Sequence, residues 1–292
     1  MANFGPKDIK KLREMTDAGM MDCKQALAAT DGDMEAAVEW LRKKGLGAAA
    51  KKADKVAAEG TIAIKADGNK AVMLEVNSQT DFVAKNDKFQ SFVAEVLEHV
   101  FNNDFNTVEE INESEINGQP FSEYLALQIA TIGENLVVRR YAKVVTDGSI
   151  GSYVHANGRV GVIVAANKAG AEDALKNVAM HAAAMNPKYI NEAAVPADVI
   201  EKEKEIAKEQ LIKEGKPEAI LDKILPGKIK RFMQDNTLEN QKFVMDDKVS
   251  VAEYLKSNAD GAELTDYVRF ELGEGIEKVE EDFAAEVAKQ MA

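Results

Sequence analysis

The sequence predicts an α+β fold with a helical N-terminal module, and three observations carry that reading. Apolar residues recur at helical spacing through the first 46 residues, alternate at strand spacing from about residue 60, and return to helical spacing between residues 197 and 234. A pattern of β-hairpin followed by amphipathic helix occurs twice. The 292 residues leave room for two or three compact modules around a sizeable core.

Residues 1–46 read as a head of three short helices. Pro6, Lys7 and Asp8 suit a first helical turn, and Ile9, Leu12 and Met15 continue it at spacings of three. Gly19 separates this helix from Met20–Ala29, and Asp31-Gly32-Asp33 makes a turn whose Asp33 can cap the third helix. That helix carries Met34, Ala37, Val38 and Leu41 on one face and is expected to stop at Gly45. Residues 47–58, rich in Ala and Lys, are read as a linker or exposed helix.

Residues 59–145 form a first core subdomain. Thr61–Lys65 alternates, Asp67-Gly68-Asn69 is a hairpin turn, and Ala71–Val76 alternates again. A loop over Asn77–Asn86 leads to a helix with Phe89, Phe92, Val93 and Val96 on one side, and Phe101–Pro120 reads as a surface loop with a short helix. Residues 146–196 repeat the pattern: Gly151–His155 matches the opening Gly60–Ile64, Asn157-Gly158 is a turn, and Val160–Ala166 is a strand. Leu175, Val178, Ala179 and Ala182 then mark a helix.

Residues 197–234 read as an antiparallel helical hairpin, with Gly215-Lys216-Pro217 as its turn. Pro226-Gly227 lies inside the second helix and is expected to kink or end it. Residues 235–292 make a C-terminal module that packs back on the core, with a strand at Tyr267–Leu272, a turn at Gly273 and Gly275, and a closing helix from about Lys278.

Composition narrows the function. The formal net charge is −13, which argues against nucleic acid as a partner. The balance is uneven: residues 1–55 hold 11 basic and 9 acidic residues, net +2, leaving −15 for the remainder. A single cysteine, Cys23, excludes an internal disulfide and any cysteine-rich zinc site, and points to a reducing compartment. Apolar runs are too short for a membrane span, and the first residues lack a signal or transit pattern, so a cytoplasmic protein away from membranes is expected.

No catalytic motif emerges. His99, His155 and His181 are scattered, and the sequence has neither a Gly-x-x-x-x-Gly-Lys-Ser/Thr loop nor a Gly-x-Ser-x-Gly elbow. Gly273-Glu274-Gly275 is no phosphate loop, because Glu274 and Glu277 would repel the anion. His181, among Ala and Met on an apolar helix, reads as a core histidine. No enzyme, metal or cofactor is expected.

Particular stretches carry a resemblance. Thr16-Asp-Ala-Gly-Met-Met-Asp-Cys-Lys-Gln-Ala-Leu27 and Thr80-Asp-Phe-Val-Ala-Lys-Asn86 closely resemble the two signature stretches of the bacterial translation elongation factor Ts family. The likeness continues through Ile132-Gly-Glu-Asn135 with Arg139-Arg140, Gly151-Ser-Tyr-Val-His155, and Arg269-Phe-Glu-Leu-Gly-Glu-Gly-Ile-Glu-Lys278.

The resemblance implies a three-helix head like a ubiquitin-associated domain, a core of two related α+β subdomains, a protruding helical hairpin and a C-terminal module. It also implies guanine-nucleotide exchange on elongation factor Tu without covalent chemistry. In the family, the Thr-Asp-Phe-Val loop approaches the Mg²⁺ region of the partner GTPase. By similarity Phe82 is the wedge, Asp81 its polar neighbour, and Thr80 and Val83 shape the loop. Met20, Met21 and Lys24 of the head are expected to grip the GTPase domain, and His155 to touch a distal domain. A homodimeric contact through the hairpin stays open, because Pro226 disturbs its second helix. Composition alone favours an acidic adaptor or scaffold instead, and an exposed Phe82 beside Asp81 separates the two readings.

Overall fold

The computed structural model describes residues 3–16, 18–155 and 158–277. The helices are α1 (Pro6–Thr16), α2 (Met20–Ala29), α3 (Met34–Ala50), α4 (Asp81–Ala84), α5 (Asp87–Asn102), α6 (Val108–Asn112), α7 (Phe121–Ile132), α8 (Glu172–Met185), α9 (Ala197–Lys213), α10 (Glu218–Asn236) and α11 (Val251–Asn258). The strands are β1 (Glu59–Asp67), β2 (Lys70–Ser78), β3 (Glu115–Ile116), β4 (Gln119–Pro120), β5 (Val137–Val145), β6 (Ser149–Val154), β7 (Val160–Ala166), β8 (Lys242–Phe243), β9 (Asp246–Ser250) and β10 (Leu264–Glu271). The closing helix expected from Lys278, and Asn157 of the expected turn, lie outside the described residues.

The chain divides into two units: Met1–Thr61, Leu74–Tyr141 and the chain from Leu272 in one, Ile62–Met73 and Ala142–Glu271 in the other. Each contains helices and strand segments. The two main sheets have the same plan, a hairpin joined by a later strand on its second member: β1-β2-β5 and β6-β7-β10.

In the first unit α1–α3 close over Leu12, Cys23, Ala26, Leu27, Ala37 and Leu41. Asp33 caps α3 by accepting from the Ala36 amide at 2.9 Å. The Cys23 sulfur is buried and faces the Ala18 carbonyl at 3.7 Å, and burial pushes its thiol above the ordinary range. The expected stop at Gly45 is incorrect, since α3 runs on to Ala50. Gly45 serves as a flat contact: a Cβ there would lie 3.1 Å from Leu127 Cδ2, so the missing side chain lets α3 rest on α7. Arg42 and Glu123 pair across the same interface at 3.4 Å. The 101–120 segment is also more ordered than expected, with α6 burying Ile111 and β3–β4 pairing as a small hairpin around Ile116.

Strand β2 is buried from Ala71 to Ser78 and carries an ionisable residue, Glu75, with no exposed surface. Its carboxylate accepts from Arg139 Nη1 at 3.1 Å, from Arg140 Nε, from Asn77 Nδ2 at 3.1 Å and from the Gly273 amide at 2.9 Å. Arg140 also reaches the Glu274 carboxylate at 3.2 Å. Burial by itself would raise the Glu75 pKa, but these donors outweigh it and hold the carboxyl below its ordinary value. Gly273 thus gives its amide to an internal carboxylate.

In the second unit β7 is the centre strand, pairing antiparallel with β6 and β10, Tyr153 and Arg269 both opposite Val162. Helix α8 covers this sheet through Val178, Ala179 and Ala182, and approaches β6 so closely at Gly151 that a Cβ would collide with the Leu175 backbone. His181 is a satisfied core residue, as its apolar neighbours suggested. Its Nδ1 accepts from the Val244 amide at 3.1 Å, and Nε2 donates to Gln241 Oε1 at 2.9 Å. Burial holds it neutral by pushing its pKa down. Helices α9 and α10 pack as the expected hairpin through Ala207, Leu211 and Leu221. Pro226 does not end α10, which continues ten residues beyond it to Asn236. Its missing N–H costs one helical hydrogen bond, and packing on α9 keeps the helix together.

Glu75→Gln is expected to destabilise the protein by about 3–5 kcal/mol at neutral pH, because it leaves two arginines facing an uncharged group. The carboxyl's folded pKa lies below its unfolded value of about 4.3, so its contribution is full above that value and is lost as pH falls through the folded one. Urea unfolding of both proteins down through this range checks it: the variant's stability must depend less on pH. Gly151→Ala is expected to cost at least about 1–3 kcal/mol through overpacking against α8, read from the same urea midpoints.

Candidate partner-binding site

The Thr80–Val83 loop begins where β2 ends. Ser78 Oγ donates to the Thr80 carbonyl at 3.0 Å, turning the chain out of the strand. Thr80 has extended backbone and caps α4, its hydroxyl accepting from the Val83 amide at 3.3 Å. At the far end the Gln90 side chain donates to the Ala84 carbonyl at 2.6 Å, and Asn86 caps α5. This one-turn helix is therefore tied down at both ends by side chains.

A second anchor comes from the end of α7, where Gly133 takes the left-handed conformation with φ +93°. Glu134 follows. Its Oε2 accepts from the amides of Gln79 and Thr80, both at 3.0 Å, while its Oε1 accepts from the Thr80 hydroxyl at 2.6 Å. The Asn135 amide donates to the Gln79 side chain at 3.0 Å. In the sequence Glu134 lies within the Ile132–Asn135 stretch that resembles the family, and nothing there gives it a role. A helix-ending glycine directly followed by an acid was the available signal.

On this fixed turn, Val83 and Thr80 are half-buried and Phe82 is 82% exposed. Leaving a phenylalanine in water forgoes about 1.5–3 kcal/mol of burial, so folding does not explain its place. Asp81 pairs with Lys85 at 2.7 Å, and this bond holds the Asp81 carboxyl below its usual range. The turn thus offers an aromatic ring beside a carboxylate that is ionised at neutral pH.

The other expected contacts are also at the surface. Cys23, Ala26 and Leu27 of α2 face the head's core, while Met20, Met21 and Lys24 point outward on the other side, the methionines 60% and 64% exposed. Spacings of three and four place Lys24 beside both. These residues and the Thr80–Val83 loop belong to the first unit, His155 to the second. His155 is exposed just past β6, its Nδ1 3.2 Å from the Tyr153 hydroxyl and its amide bonded to the Val160 carbonyl at 2.8 Å. Among the described residues no group of three or more His, Cys, Asp or Glu could hold a metal ion, and no helix is long and apolar enough to cross a membrane.

The family model described as Elongation factor TS matches residues 79–274, a span that starts at the first residue held by Glu134 and ends at the partner of Arg140. The chain belongs to the elongation factor Ts family. Proteins named Elongation factor Ts are similar along the whole length. That of a Nitratiruptor species is 54% identical over 97% of each chain. Those of a Sulfurovum species and of Nautilia profundicola are 50% and 49% identical over 100% of each. Membership in the elongation factor Ts family makes this a translation elongation factor.

If Phe82 contributes nothing to the fold, Phe82→Ala should change unfolding free energy by no more than about 0.5 kcal/mol. Phe92→Ala, in the buried face of α5, should cost about 3–5 kcal/mol. Chemical denaturation of the two variants side by side checks the contrast.

Proposed function

We propose that this member of the elongation factor Ts family is a guanine-nucleotide exchange factor for elongation factor Tu. It binds the GDP form, disturbs the Mg²⁺ and phosphate site, and lets GTP rebind. The observation that carries this reading is Phe82, an exposed ring on a turn held at both ends.

The physics follows from linkage. Mg²⁺ joins nucleotide phosphates to the GTPase, so moving the ion or its waters weakens GDP. A ring that buries about 150–250 Å² can repack a small cluster of partner side chains, and here the turn is already ordered before binding. Thr80 and Val83 set the turn's shape, and the Asp81 carboxylate adds a negative charge where metal and phosphate interact. Met20, Met21 and Lys24 supply a separate grip through the head, and His155 another through the second unit. Because binding is reciprocal, the factor lowers GDP affinity by the same ratio as GDP lowers the factor's affinity; about 3 kcal/mol of coupling gives roughly 150-fold. No bond is made or broken, so the reading needs no catalytic residue, metal or cofactor on this chain.

Release of a fluorescent GDP analogue from elongation factor Tu tests the proposal. Wild type should accelerate release by about 100-fold or more. Phe82→Ala should lose at least about tenfold of that while still binding the nucleotide-free GTPase through its other contacts. Absence of acceleration by the wild type would reject exchange and leave the acidic scaffold. Equal acceleration by both proteins would reject Phe82 as the wedge.

A further inference from the structure

The turn Gly133–Asn135 does more than hold the Phe82 loop. Two groups of hydrogen bonds meet there from opposite directions. One goes to the loop, as described: Gln79 and Thr80 donate to Glu134, and the Asn135 amide donates to Gln79. The other goes to the segment by which the chain leaves the head. The Lys52 ammonium donates to the Gly133 carbonyl, and Asn135 Nδ2 donates to the Lys55 carbonyl at 2.8 Å. Helix α7, whose C-terminus this turn forms, is also the helix on which α3 rests at Gly45 and with which Arg42 pairs.

We infer that Glu134 is a positioning residue for exchange: it fixes the Phe82 turn to the same turn that fixes the head, so that the grip and the wedge reach the GTPase in one geometry. The inference rests on the exchange reading. Residues 52–55, 79–80 and 133–135 are far apart in sequence, yet three consecutive residues join them. A half-buried carboxylate accepting three hydrogen bonds, two from consecutive amides, leaves Thr80 little freedom, and Thr80 is the cap from which α4 starts. Phe82 lies two residues beyond that cap. If the cap shifts, the ring moves with it, while Met20, Met21 and Lys24 keep their places on α2. Binding through the head would then persist while the wedge misses its target. Displacement of a reacting or displacing group by about 1 Å is enough to cost large factors in rate.

The test uses the full chain with Glu134→Gln. The amide removes the charge, and with its oxygen on the two backbone amides its NH₂ faces the Thr80 hydroxyl, which then loses the acceptor it had in Glu134. Two quantities are read from GDP release at increasing factor concentration: the rate at saturation and the concentration giving half of it. Loss of the charge-assisted set should lower the saturating rate about tenfold or more, with the half-saturating concentration changed less than about twofold. Hydrogen exchange by mass spectrometry supplies a readout independent of activity: protection should fall at Gln79 and Thr80 and stay unchanged in α2 and in β7. That pattern supports the inference, and it separates local release from global destabilisation, which would lower protection everywhere. An unchanged saturating rate despite lost protection at Gln79 and Thr80 overturns it, as does a raised half-saturating concentration with the rate unaltered, or loss of protection throughout the chain. A wild-type chain that leaves GDP release unaccelerated rejects the exchange reading itself, a result that no behaviour of the variant can imitate.

Discussion

Glu75 carries a negative charge at a point that water does not reach, and a charge so placed must be neutralised by groups already in position. Its four donors come from three places in the sequence: Asn77 on its own strand, Arg139 and Arg140 on β5, and the amide of Gly273. Satisfying this one residue therefore sets β5 beside β2 and holds the Gly273 amide against the same carboxylate. A hydrophobic residue at position 75 would tolerate small slips of any of these elements. A carboxylate does not, since each lost donor leaves charge unmatched in a medium of low polarity. The first unit gains a specified arrangement from a residue that is, by itself, costly to bury.

The Phe82 turn depends on a similar device at lower cost. Glu134 is a second carboxylate spent on backbone amides and a hydroxyl, and it orders the turn just after β2 leaves the sheet. Both ends of the run from Glu75 to Thr80 are thus held by acids on or near the core, one receiving arginines and one receiving amides. The ring on the turn is left in water while its support is rigid. Order in the free protein removes part of the entropy loss that binding would otherwise carry.

Much of this organisation was legible in the sequence. Alternation around Asp67-Gly68-Asn69, the return of the pattern at Gly151, and the helical hairpin broken at Gly215 all rest on local spacing and turn chemistry, which short windows contain. The setting of Phe82 between a strand and a helix, with Asp81 and Lys85 beside it, leaned towards exposure, but a core position under the loop was the commoner reading and the family resemblance decided between them. What local windows do not contain is the neighbour that decides an ambiguous residue. Gly45 looked like a helix stop because glycine usually is one, and only the approach of α7 shows why a side chain is missing there. Pro226 looked like a break, and packing on α9 carries α10 through it. Glu75 and Glu134 read as two acids among 50, and nothing within ten residues of Glu75 announces Arg139 or Gly273.

The cysteine in the head has a practical consequence. Cys23 is the chain's one thiol, it is enclosed by the small helical core, and burial makes its thiolate scarce at neutral pH. Alkylating reagents will find it a poor substrate for as long as the head stays folded. A cysteine introduced on an exposed face of α9 or α10 can therefore be labelled with a dye or spin probe in the native protein without first removing the natural one. The silent thiol also becomes a reporter in its own right, because the rate at which it reacts measures how often the head opens.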